Sequence, residues 1–119
     1  MLARVALPRK TPKSAKRSTR WRSQAHCNHV RAHECSIGQC TSGDPTEVAH
    51  VRMDSGAGIG QKPDDWRTVS LCRFHHQQQH NVGERTFWAG LDVERLIADF
   101  IASSPRKAEI ERVMRERGL

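Results

Sequence analysis

Four metal-binding side chains fall within the nine residues Cys72-Arg73-Phe74-His75-His76-Gln77-Gln78-Gln79-His80. On a helix, Cys72 and His75 lie three residues apart and His76 and His80 four apart, so each pair faces its own direction and can close on its own ion. Upstream, Cys35 and Cys40 supply two further thiolates. Cys35, Cys40, Cys72 and His75 together make the Cys₃His set that suits a tetrahedral structural zinc ion, with His76 or His80 as the alternative imidazole. The other histidines of the run and the solitary His50 are then spare. Spare imidazoles near a divalent ion equip a site for hydrolysis, because the ion stabilises developing negative charge while a neutral imidazole accepts a proton.

Several elements must position these groups. Ala25, His29, Val30 and His33 recur at helical spacing, which predicts a helix over 21–34 ending just before Cys35. Cys35 to Pro45, with Gly38 and Gly43, reads as the turns of a zinc knuckle. A short strand over 47–52 carries His50, the glycine-rich stretch 54–62 is a loop, and a second strand over 68–71 runs straight into Cys72. The histidine-bearing helix follows and stops near Asn81 or Gly83. Asp92 is the N-cap of a further helix whose Val93, Leu96, Ile97, Phe100 and Ile101 form one core-facing stripe. Ser104 and Pro105 open a last helix with Ile110, Val113 and Met114, and Gly118 stops it. The fold class is therefore small α+β, organised as a basic arm over 1–22, a zinc-containing domain over 23–102 and a C-terminal helix over 103–119. His26, His29 and His33, with Cys27, form a second cluster that reads as surface.

Charge is distributed unevenly. Residues 1–22 carry Arg4, Arg9, Lys10, Lys13, Lys16, Arg17, Arg20 and Arg22 without an acid, while the other 12 basic residues face all 13 acidic ones. The net charge of +7 is thus the property of an arm. Such a stretch, broken by Pro8 and Pro12, is expected to be disordered alone and to bind phosphates by releasing their counterions. A solvated tail and an organelle transit peptide are the competing readings. Arg52 and Lys62, near His50 in sequence, extend the expected phosphate contacts.

At 119 residues with no Tyr, three Phe and three Trp, the chain has a thin core, so a staple is expected. Four Cys beside clustered His fit zinc in a reducing, cytoplasmic setting better than two disulfides. No apolar run reaches the roughly 18 residues of a membrane span, so no membrane partner is expected.

Four stretches resemble the small phage- and prophage-type members of the His-Asn-His (HNH) endonucleases: Ala49-His50-Val51-Arg52, Gly58-Ile59-Gly60-Gln61-Lys62-Pro63-Asp64-Asp65-Trp66, Leu71 through His80, and Gly83-Glu84-Arg85-Thr86-Phe87-Trp88. The likeness covers about Cys35 to Trp88, and its specificity lies in the joint order of the stretches. It implies a ββα-metal fold, phosphodiester hydrolysis in DNA, and His50 as the general base that activates water. It also implies a catalytic divalent ion, Mg²⁺, Mn²⁺, Ni²⁺ or Zn²⁺, held by His76 and His80. His75 then stands where many members carry the second Cys of a Cys-x-x-Cys pair. The chain departs from the pattern at Ala49, where an Asp or His ligand is common, and at the central Asn, where Asp65 stands at about the right place. Asp65 either orients His50 or turns toward the ion, and the adjacent Asp64 shares that claim. Cleavage of both strands would call for two copies, with the C-terminal helices as the surface for a homodimer. The alternative function is a zinc-stapled DNA-binding accessory protein of phage recombination or packaging that does not cleave.

Overall fold

The structure is a computed structural model that describes residues 20–58 and 61–119. Its elements, in chain order, are α1 (Gln24–Arg31), β1 (Thr46–His50), β2 (Thr68–Cys72), α2 (Arg73–Val82), α3 (Glu84–Phe87), α4 (Val93–Ser103) and α5 (Lys107–Glu116). The arm positions Arg9, Lys10, Lys13, Lys16 and Arg17 lie outside the described residues.

The two strands pair antiparallel, with Thr46 opposite Cys72 and His50 opposite Thr68. Every residue of β2 is buried, whereas β1 buries only Ala49 within its span. The fully buried Val30, Ala49, Val51, Val69 and Leu71 bring α1 and the sheet together, and Trp88, Val93, Ile97 and Phe100 close the core from α4 and the turn before it. Each buried Val, Leu or Ile contributes about 1.5–3 kcal/mol relative to exposure. The expected α4 stripe thus packs as core, and the Asp92 carboxylate caps the helix by accepting from the Arg95 amide at 3.1 Å.

Local competition for backbone groups sets the remaining boundaries. The predicted helix over 21–34 begins three residues later, because the Trp21 amide donates to Asp64 Oδ1 (2.6 Å) and the Trp21 carbonyl accepts from the Asp65 amide (2.9 Å). Ser23 is the actual N-cap, its hydroxyl accepting from the His26 amide at 3.1 Å. At the other end the Glu34 carbonyl accepts from the Ser70 hydroxyl (2.6 Å) and the Ser36 amide donates to the Ser70 carbonyl (2.8 Å), so β2 captures the chain that leaves α1. The strand expected to reach Arg52 stops at His50, since the Arg52 and Met53 amides donate to the Glu84 carboxylate at 3.0 and 2.9 Å. Gly83, at φ 87°, ends α2 and starts the short α3 that sequence reading left out.

The boundaries expected at 22 and 103 both fall inside packed structure. Trp21, Trp66 and Ile110 form a second buried cluster joined by Val113 and Met114. The two indoles stack with centroids 5.6 Å apart, and the Arg117 guanidinium lies 5.2 Å from the Trp66 ring centre. Residues 20–23 and α5 therefore belong to the same folded unit as the sheet.

Candidate metal centre and histidine cleft

Cys72 is both the last residue of β2 and the N-cap of α2, its sulfur facing the His75 amide at 3.4 Å. This junction turns the strand into the helix and brings the imidazole one turn later beside the thiol. The knuckle completes the group: Cys35 follows the segment held by Ser70, and the Pro45 carbonyl accepting from the Arg73 amide at 3.0 Å closes the loop that carries Cys40. The ligand atoms of Cys35, Cys40, Cys72 and His75 all lie within 4.8 Å of one another.

The spacing can be tested against an ion. Bonds of about 2.3 Å to sulfur and 2.0–2.1 Å to nitrogen in a tetrahedron give edges of about 3.8 Å between sulfurs and 3.6 Å between sulfur and nitrogen. Here the Cys40 and Cys72 sulfurs are 3.7 Å apart, and His75 Nδ1 lies 3.5, 3.5 and 3.2 Å from the sulfurs of Cys35, Cys40 and Cys72. The group can hold a metal ion such as zinc. Hydrogen bonds from the Ser42 hydroxyl and amide, followed by the neighbouring thiols, pull the Cys40 thiol down to about 6, which favours the thiolate a cation needs. Burial pushes the Cys35 thiol the other way. All four cysteines of the chain are free, and Cys27 stands apart, its thiol raised to about 11 by burial and then by the Asp65 carboxylate.

The next residue of α2, His76, and His80 one turn beyond it present rings with centroids 4.9 Å apart. They line a cleft of about 390 Å³ together with His50, Arg52, Lys62 and Glu84. His50 Nε2 is 2.9 Å from Asp65 Oδ1. That contact assigns the ring proton to Nε2 when the imidazole is neutral and leaves Nδ1 with the lone pair. Burial lowers the His50 pKa more than the Asp65 carboxylate raises it, with Lys62 and Arg22 adding to the lowering. Asp65 itself is held below the usual carboxylate range by His50, the Ser23 amide and Arg22, which together outweigh its burial.

The two adjacent carboxylates have separate tasks. Asp64 is buried and turned away from His50; its Oδ1 accepts from the Trp21 amide (2.6 Å) and from Arg117 (2.9 Å), and Arg20 lies 3.6 Å from Oδ2. It fastens residues 20–21 and the chain end to the 64–66 turn, whereas Asp65 is the carboxylate on His50. Arg20 and Arg22 are likewise engaged by the fold: Arg22 donates to the Lys62 carbonyl at 2.9 Å and to the Pro63 carbonyl, and lies 3.3 Å from Asp65. Arg52 donates to the Gly58 carbonyl at 2.7 Å, and Lys62 is exposed at the rim of the cleft.

Comparison with family models, curated proteins and solved structures finds no match to this chain. The functional reading therefore rests on the geometry of the site.

Among the described residues, the Cys₃His group alone brings three or more ligand atoms within 4.8 Å. His76 and His80 share the cleft with His50 without closing into such a set. Ala49 is fully buried and offers no ligand. Sequence reading missed Glu47, whose Oε1 lies 3.0 Å from His76 Nδ1; only the register that sets Glu47 opposite Leu71, beside the start of α2, reveals it. The surface reading of the α1 histidines fails for His26, which is fully buried with Nδ1 2.7 Å from the Ser104 hydroxyl. Its spacing of four from the buried Val30 was the available signal. No helix among the described residues is long and apolar enough to cross a membrane.

Proposed function

We propose that the chain is a metal-dependent endonuclease of the HNH (ββα-metal) type that hydrolyses phosphodiester bonds in DNA. The observation that carries this reading is the shared cleft: His50, backed by Asp65, opens onto the same cavity as His76, His80, Arg52 and Lys62, beside a separate Cys₃His group. A phosphodiester resists water because water is a weak nucleophile and the departing alkoxide a poor leaving group. Neutral His50 takes a proton from water at Nδ1 while its Nε2–H stays on Asp65, and burial keeps the ring in that basic form at neutral pH. The Asp65 carboxylate steadies the imidazolium as it forms. Lys62, at the rim, offers charge to a phosphate, and the basic stretch 1–17 adds affinity without sequence preference. A divalent ion held by His76 and His80 would supply Lewis-acid stabilisation of the phosphate and leaving oxygens. Zinc in the Cys₃His group holds the knuckle, and the protein works in the cytoplasm of a bacterial or phage-infected cell.

Purified protein with Mg²⁺, Mn²⁺, Ni²⁺ or Zn²⁺ is expected to nick supercoiled plasmid, and His50→Ala to slow this by about 10²- to 10⁴-fold. Equal nicking by the variant removes the assignment. A second reading, a zinc-stapled DNA-binding module without cleavage, is favoured by one observation: among the described residues, no third protein ligand closes on His76 and His80 at the distances seen in the knuckle. DNA binding with no nicking under any of these ions decides for it.

A further inference from the structure

Glu47 projects from β1 to the first turn of α2. Its Oε1 lies 3.0 Å from His76 Nδ1, and its Oε2 lies 3.7 Å from the Arg73 guanidinium. The His76 side chain is 22% exposed and lines the cleft, so its ring is held between a carboxylate on one side and the cavity on the other. A neutral imidazole has one N–H and one lone pair, and a carboxylate within hydrogen-bond reach of one nitrogen selects the proton for that nitrogen. A carboxylate in contact with Nδ1 therefore makes Nε2 the only nitrogen able to bind a cation.

We propose that Glu47 is a positioning residue for cation binding at the cleft: it fixes His76 with its proton on Nδ1 and its Nε2 lone pair available to a divalent ion. The inference rests on the cation site of the reading above and assigns it a residue that the resemblance does not. It also gives the buried Ala49 a consequence. The strand offers the ion no direct ligand there, and its carboxylate acts instead two residues earlier, through the ring of His76.

The experiment uses the full chain with zinc bound in the knuckle and compares wild type, Glu47→Ala, Glu47→Gln and His76→Ala. Ni²⁺ binding is followed by calorimetry, and the histidine ring nitrogens by long-range ¹H–¹⁵N correlation without Ni²⁺. Glu47→Ala is expected to weaken Ni²⁺ binding by about 10- to 100-fold and to move the His76 proton off Nδ1. In Glu47→Gln the side-chain amide carbonyl can still accept from Nδ1–H, so this variant is expected to keep the wild-type tautomer and to stay within a few-fold of wild-type affinity. Unchanged tautomer and affinity in Glu47→Ala would overturn the proposal while leaving the nuclease reading intact. Equal losses in the Ala and Gln variants would overturn it too, by making Glu47 a direct ligand or a charge partner. A wild-type protein that takes up no second ion, with the same isotherm as His76→Ala, would remove the cation site and the proposal together, whatever the tautomer shows.

Discussion

At the start of α2, four donors already lie within 4.8 Å of one another, whereas His76, the next residue, and His80, one turn later, line an open cleft shared with His50. The two sets draw on the same chemistry and the same ten-residue helix, yet differ in closure. In the knuckle all four donors come from the chain, and the Cys40–Cys72 and Cys40–His75 distances of 3.7 and 3.5 Å are close to the edges of a zinc tetrahedron, so an ion held by all four would keep no vacant position for a substrate. In the cleft, among the described residues, no set of three donors closes, although the His76 and His80 rings lie 4.9 Å apart; His50 contacts Asp65 and His76 contacts Glu47, and the cavity stays open. The closed set suits a structural ion, and the open cleft is where the proposed function would lie.

The knuckle is where breaking the comparison has the largest effect. A structural zinc contributes about 10–16 kcal/mol of apparent binding energy to folding in small domains. Cys72→Ser, or a strong chelator, is expected to release one zinc and unfold the chain, as read by metal analysis and circular dichroism; a folded, zinc-free variant would show that the core suffices alone. His76→Ala, by contrast, should keep both zinc and fold. Next in size is the effect expected of His50→Ala if His50 is the proposed base: nicking slowed by about 10²- to 10⁴-fold, with zinc content unchanged. Because burial lowers the His50 pKa, the rate should rise with pH and reach half its plateau below the ordinary imidazole value of about 6.5. A midpoint above that value would mean another group takes the proton.

His26 sharpens the comparison by showing an imidazole that has neither role. Burial, followed by the charge of His29, lowers its pKa to about 4. The unfolded chain binds this proton at about 6.5, so the folded state is at full strength above that pH and loses stability as pH falls toward 4. The loss is on the order of 3 kcal/mol, and His26→Gln should flatten that stretch of the pH–stability curve measured by urea unfolding. An unchanged slope would mean another group carries it. The smallest effect is expected for Asp65→Asn, which keeps a polar partner on His50 but removes its charge. Nicking should fall by about 10- to 100-fold with DNA affinity unchanged, measured by single-turnover kinetics and binding titration. A matching loss of affinity would instead place Asp65 in DNA binding.

Much of this was legible because it depended on local chemistry. The Cys₃His set could be read from residue types and spacing, and Cys72 and His75 meet because a helix puts residues three apart on one face. The α4 stripe and its Asp92 cap were equally local. Other features depended on what lay across the fold. Asp64 and Asp65 are chemically alike neighbours, and only the turn they sit in sends one to Trp21 and Arg117 and the other to His50. Arg20 and Arg22 looked like part of a free arm until the same turn claimed them.

The sequence by itself determined the donor types, the faces of α2 and the concentration of positive charge before residue 23, since each follows from identity and the repeat of one element. Tertiary structure alone decided which donors closed into a set, which carboxylate backed which imidazole, and that Trp21 and α5 belong to the core. Strand register and helix docking fix those distances, and a contact of 3 Å between residues far apart in the chain is set by both together.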